Sequence, residues 1–148
     1  MTKDVAVSRR IICRLGSEQV IRSAFETALK EGYKKVTCGH KANIMKLTDG
    51  MFLDTFYDIA KEYPQLETED VIVDALCMKL VYAPQEFECV VLTNLQGDIV
   101  SDLCAGIVGV LGFAPSANLG DHLKILASVH GTSPDIAAPN KANPTSPL

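Results

Sequence analysis

Cys89-Val90-Val91-Leu92-Thr93-Asn94-Leu95-Gln96-Gly97-Asp98-Ile99-Val100-Ser101-Asp102 is the stretch whose reading decides the fold. Cys89 to Thr93 is a continuously apolar run of strand length, which reads as a strand covered on both faces. Gly97 permits a tight backbone after it, and Gly97 to Gly112 reads as a nearly all-apolar helix that should be buried. Asp98 and Asp102, four residues apart, share one face of that helix. Like charges one turn apart repel, so the pair favours a cation between them, and oxygen-only ligands suit Mg²⁺ or Mn²⁺. The alternative is an acid-rich helix start that favours the helix dipole. On the residues alone the two readings stand about even.

Outward from this stretch, strand and helix patterns alternate. Residues 17–31 read as an amphipathic helix with Val20, Ile21, Ala24, Phe25, Ala28 and Leu29 at helical spacing, Ser17 as N-cap and Gly32 as stop. Val36 to Gly39 is a short strand that runs into a loop at His40 to Asn43, and a helix follows over about Asp49 to Tyr63, closed by Pro64. Val71 to Val73 is a short strand before a helix over Ala75 to Tyr82, with Pro84 as breaker. Beyond Pro115 the texture changes to two extended pieces, Ser116–Leu119 and Lys124–Val129. The alternation predicts an α/β fold, a layered sheet with helices on both faces. From Gly131 onward the chain is loop-like and ends so at Leu148, as a cut chain would.

The totals narrow the function classes. The chain has 148 residues, 47% hydrophobic and 22% charged, which suits one globular domain with a real core. A net charge of -4 argues against nucleic acid or an anionic membrane surface as partner. Arg9, Arg10 and Arg14 cluster, but Ile11, Ile12 and Cys13 interrupt them, which leaves only a weak organelle-targeting reading. Five cysteines without CxxC spacing, each in apolar surroundings, point to reduced thiols and a reducing compartment, cytoplasm or mitochondrial matrix. The most apolar stretch, Leu103 to Phe113, is too short to span a membrane.

Three further constellations carry possible chemistry. Asp74 borders the apolar run Ala75 to Met78, as an exposed cap or as a ligand; the residues by themselves favour the cap. Lys41, in the loop with Asn43, is a phosphate or carboxylate contact, a base, or plain surface charge. Val129 to Ile136 together with Ala142-Asn143-Pro144 is a run of small and kinked residues that lets backbone approach a flat ligand, with Asp135 as acceptor for ribose hydroxyls; composition alone favours a surface loop.

Taken in order, Lys41, Asp74, Asp98 and Asp102 resemble the pattern of the β-decarboxylating dehydrogenases that act on isocitrate, isopropylmalate or homoisocitrate. Asn94 to Gly112 resembles the metal-binding signature of that family, and Val129 to Asn143 its adenosine-binding loop; the similarity covers about Arg14 to Thr145. The resemblance implies an isopropylmalate dehydrogenase-like fold, incomplete here, with residues 1–148 as a single partial domain. It implies an NAD-dependent isocitrate dehydrogenase in which Asp74, Asp98 and Asp102 bind Mg²⁺ or Mn²⁺. Lys41 and Asp74 are then the catalytic residues, and Lys41 with Asn43 touches substrate. His130, Gly131, Thr132, Ser133, Pro134, Asp135, Ile136 and Asn143 would bind NAD, with Asp135 selecting it over NADP by repelling a 2′-phosphate.

The family is dimeric, so Lys41 and Asp74 would complete the site of a second chain, either another copy or a full-length subunit. The alternative is a non-catalytic truncated paralogue that serves as a regulatory or structural partner subunit. Several features depart from the family pattern: no counterpart of its N-terminal part with the substrate arginines and catalytic tyrosine, Gln96 where an aromatic is usual, Val110 and Ala138 for glycines, and Ala127 for an acid. The isolated chain is therefore expected to be inactive and to expose apolar patches that favour association.

Overall fold

The computed structural model describes residues 3–109, 115–120, 122–128 and 134. By its internal contacts the chain divides into two compact units, Met1–Asp98 and Ile99–Leu148.

The first unit is built on three parallel strands, β1 (Lys35–His40), β2 (Glu67–Ile72) and β3 (Cys89–Val91), in the order β2-β1-β3. The helices α1 (Arg14–Glu31), α2 (Thr48–Ala60) and α3 (Val73–Tyr82) and a 3₁₀ turn (Pro84–Glu86) connect them, and α4 (Asn94–Val108) starts after β3. Alternate residues of a strand face opposite sides, and β1 shows what each side packs against. Val36 and Cys38 join Ile21, Phe25 and Ala28 of α1 and Phe52, Phe56 and Ile59 of α2 in one core. Phe25 sits at its centre, 4.9 Å from the ring of Tyr63 and 5.5 Å from that of Phe56. On the other side of β1, a Cβ added to Gly39 would lie 2.9 Å from Leu76 Cδ2 of α3. The sheet is thus covered on both faces, as expected.

Several boundaries differ from the sequence reading for identifiable reasons. Helix α1 begins three residues early, at Arg14, so Ser17 is not its cap; it is buried inside the helix and its Oγ donates to Cys13 O at 2.9 Å. A serine that back-bonds to the preceding turn satisfies its hydroxyl without ending the helix. Gly32 does end it. At φ 77° it adopts the left-handed conformation while Tyr33 N–H donates to Ala28 O at 2.8 Å, a Schellman closure. The strand covered on both faces is β1, with five consecutive buried residues, whereas β3 lies beside it and only Val91 of it is buried. Helix α4 is buried at Gln96, Val100 and Ala105, but Leu95, Ile99, Ile107 and Val108 are exposed. Its apolar composition therefore does not put all of it in a core.

In the second unit, β4 (Pro115–Leu119) and β5 (Lys124–Ser128) pair antiparallel, and both extended pieces appear where the sequence placed them. Among the described residues no helix is long and apolar enough to cross a membrane.

Candidate active site

Ligands of open α/β sheets gather where strands end at their carboxyl edge, and β1 ends there at His40. The imidazole of His40 is buried and closes the strand end in two directions: Nδ1 accepts the Ala42 N–H at 3.0 Å, and Nε2 lies 2.9 Å from Asp70 Oδ2 on β2. An acceptor at Nδ1 leaves the ring proton on Nε2, facing the carboxylate. Tyr57 of α2 donates to the other oxygen of Asp70 at 2.5 Å. Burial pushes the Asp70 carboxyl upward, but the hydrogen bonds from Tyr57 and His40 outweigh it and hold Asp70 below its ordinary value. Burial first, and then the bond to Asp70, pushes the Tyr57 phenol up to about 12.

The chain then turns sharply. The N–H groups of Ile44 and Met45 both donate to Lys41 O, at 3.0 and 2.8 Å, and the Lys41 N–H donates to Asp49 Oδ2 at 2.7 Å. With its backbone held at both ends, Lys41 projects across to α3, where Nζ lies 2.5 Å from Asp74 Oδ1. Asp74 is exposed and stands in the first turn of α3, where the helix dipole favours an anion. The Lys41 ammonium, followed by the main-chain N–H groups of Asp74 and Ala75, holds its carboxyl below the usual carboxylate range. The boundary expected after Val73 is corrected: β2 ends at Ile72 and helix α3 begins at Val73. Asn43 lies exposed in the same loop.

Asp98 and Asp102 are exposed and lie one turn apart on α4, as the spacing predicts. Two carboxylates on one helix face, with oxygen donors only, match the chemistry of a hard divalent cation. Among the described residues of one chain, no three or more His, Cys, Asp or Glu side chains come together to hold a metal. The structure therefore groups the expected residues as two pairs, Lys41 with Asp74 and Asp98 with Asp102. Of the expected cofactor loop, His130, Gly131, Thr132, Ser133, Asp135, Ile136 and Asn143 lie outside the described residues, and Pro134 is exposed.

Residues 1–148 match the family model for isocitrate/isopropylmalate dehydrogenase. The chain belongs to that family. It is 53% identical over 144 residues to a 3-isopropylmalate dehydrogenase of Methanothermobacter thermautotrophicus, a match that takes in 97% of this chain and 44% of the relative. It is 48% identical over 147 residues to an NADP isocitrate dehydrogenase of Thermus thermophilus, covering 99% of this chain and 30% of the relative. Among solved structures, the isocitrate dehydrogenase of Methylococcus capsulatus superimposes with a TM-score of 0.92 at 50% identity, over 98% of this chain and 43% of that one. The chain thus spans less than half the length of these family members.

Next to Lys41 lies a buried polar cluster that the sequence reading missed. Asp49, fully buried, accepts from Lys41 N–H and, at 2.8 Å, from Gln96 Nε2 of α4. Its Oδ1 lies 2.8 Å from Arg10 Nη1, an ion-pair contact not aligned as a hydrogen bond. A second nitrogen of Arg10 donates to Thr93 Oγ1, and Thr93 donates to Gln96 Oε1 at 3.3 Å. A signal for Asp49 was present in the sequence. With Phe52, Phe56 and Ile59 it falls on one helical stripe, so an acid heads an apolar face. Arg10 is buried in part by this ion pair, which removes it from the cluster with Arg9 and Arg14.

Proposed function

We propose that the protein acts as part of an NAD-dependent dehydrogenase that decarboxylates isocitrate to a 2-oxo acid and CO₂, with a divalent metal. The carrying observation is the pairing of Lys41 with Asp74 at the end of β1, in a chain whose α4 presents Asp98 and Asp102 one turn apart. In a dimer, Lys41 and Asp74 of one subunit complete the site that Asp98 and Asp102 of the other begin. A cation held by Asp74, Asp98 and Asp102 supplies Lewis-acid polarisation of substrate oxygens.

The protein's own groups do the rest. Lys41, with its backbone fixed by Asp49, assists removal of the substrate hydroxyl proton after its ammonium has released its own proton to solvent, help typically worth about 10²- to 10⁴-fold. Asn43 contacts a substrate carboxylate from the same loop. Asp135 accepts from a free ribose 2′-hydroxyl and disfavours a 2′-phosphate, which supports NAD. The five free thiols suit a reducing compartment, cytoplasm or mitochondrial matrix.

Titration calorimetry with Mn²⁺ tests the reading, on the wild type and on Asp98→Asn/Asp102→Asn, with and without isocitrate. Binding that vanishes in the double variant and tightens with isocitrate more than with 3-isopropylmalate supports it. No Mn²⁺ binding by the wild type overturns the metal site, and stronger tightening by 3-isopropylmalate overturns the substrate.

A further inference from the structure

The loop that carries Lys41 and the helix that carries Asp98 are joined by one buried acceptor. Asp49 Oδ2 receives the Lys41 N–H at 2.7 Å and the Gln96 amide at 2.8 Å, and Gln96 stands in the first turn of α4. Asp49 is 0% exposed and Gln96 6%, so water does not compete for either group. An ionised carboxylate only accepts, so Gln96 can bond it only through Nε2, and Thr93 holds the other end of the amide.

We propose that Gln96 is a positioning residue: through the Asp49 carboxylate it locks the main chain at Lys41 to the first turn of α4, so that the loop and that turn move together. The inference rests on the proposed roles of Lys41 and Asp98. In a dimer where these serve different sites, the Asp49–Gln96 bond is a mechanical link between the two sites of the assembly. A bond to a buried charge is stronger than a neutral one and costly to leave unmade. The link therefore has the stiffness that such coupling requires.

The test is amide hydrogen exchange, resolved by residue, on wild type, Gln96→Met and Thr93→Val, each without and with Mn²⁺. Gln96→Met conserves volume and removes the donor; Thr93→Val keeps the shape and removes the hydroxyl that orients the amide and also accepts from Arg10. Without metal, exchange at Lys41, Ile44 and Met45 is expected to quicken on the order of tenfold in Gln96→Met, and less in Thr93→Val. The β1 amides at Val36 to Gly39 keep wild-type rates. With Mn²⁺ the wild-type loop gains protection, and in Gln96→Met this gain is lost although calorimetry shows unchanged Mn²⁺ affinity. A merely structural role would move the first readout and not the second. Unchanged loop exchange in both variants, or a Mn²⁺ response that survives Gln96→Met, overturns the proposal. If wild type binds no Mn²⁺, the metal reading and the coupling fall together, while the metal-free arm still decides the positioning.

Discussion

Lys41 Nζ and Asp74 Oδ1 meet at 2.5 Å across the gap between the β1 loop and the first turn of α3. The pair faces solvent, with the Asp74 side chain 68% exposed, and exposed ion pairs add little to stability because water screens them and ordering two side chains costs entropy. Lys41→Met and Asp74→Asn are therefore expected to leave the urea midpoint unchanged. In the assembled enzyme Lys41→Met should lower turnover by about 10²- to 10⁴-fold, the usual worth of a positioned proton acceptor. A large loss of stability in either variant would show that the pair is there to hold the fold.

The same pair has a definite pH dependence. Asp74 is held below its ordinary value, chiefly by the Lys41 hydrogen bond, so the pairing is present above the unfolded value and is lost as pH falls through the lowered one. Proton-resolved titration of the Asp74 carboxyl should show a midpoint below the usual aspartate range. In Lys41→Met that midpoint should rise. An unshifted midpoint in the wild type contradicts the pairing.

At Tyr57 the sign is opposite. Its phenol is pushed up from 10.0 to about 12, so the protonated form is the one the fold favours. That stabilisation is complete below pH 10, the unfolded value, and disappears as pH rises through about 12. Absorbance at tyrosinate wavelengths should show a late-titrating component that is missing in Tyr57→Phe. The substitution also removes a donor from Asp70, so the acid midpoint of Asp70 should rise, with a cost of about 1 kcal/mol in stability.

The architecture was legible where apolar periodicity and breakers agree, as at α1 with Gly32 and at α2 with Pro64. It was least legible at β2. Glu67, Thr68, Glu69 and Asp70 lack the apolar signature of a strand, yet they pair in register with Lys35 to Cys38. Tertiary partners make this possible: Thr37 and Lys35 reach Glu69 at 2.8 and 3.0 Å, and His40 and Tyr57 share Asp70. Local propensity sees four polar residues, whereas the fold supplies a partner to both acids that face neighbouring strands. For the candidate site, the family resemblance named Lys41, Asp74, Asp98 and Asp102, while the contact of Lys41 with Asp74 came only with the fold. The support beside Lys41 was not legible. Arg10, Asp49 and Gln96 are far apart in sequence, and only the packing of loop, α2 and α4 shows that they share one buried charge.

At Gly39 the side chains of Leu76 and Leu92 press close against β1. A Cβ there would meet Leu76 Cδ2 at 2.9 Å and come closer still to Leu92, so Gly39→Ala forces both leucines to move. Overpacking of this kind costs about 1–3 kcal/mol. Because Leu76 lies only two residues beyond Asp74 on α3, a shift of the helix backbone there should also loosen the Lys41–Asp74 pair. Urea denaturation checks the first effect and a rise in the Asp74 midpoint checks the second.

Removing Arg10 should be the most destabilising of these changes. Asp49 is fully buried, and Arg10 is the cation that faces it at 2.8 Å. Arg10→Met leaves a carboxylate in the interior without its counter-charge, a loss of about 3–5 kcal/mol for a broken buried pair. Asp49→Asn alone is also expected to cost stability, because an amide nitrogen would then face the guanidinium. In Arg10→Met/Asp49→Asn both charges are gone, and the asparagine oxygen still accepts from Lys41 N–H and Gln96. The double variant should therefore be more stable than the sum of the single losses by about 0.5–3 kcal/mol, the range for directly contacting residues. Strict additivity in urea denaturation would mean that the two side chains do not share one electrostatic environment, against the geometry at Asp49.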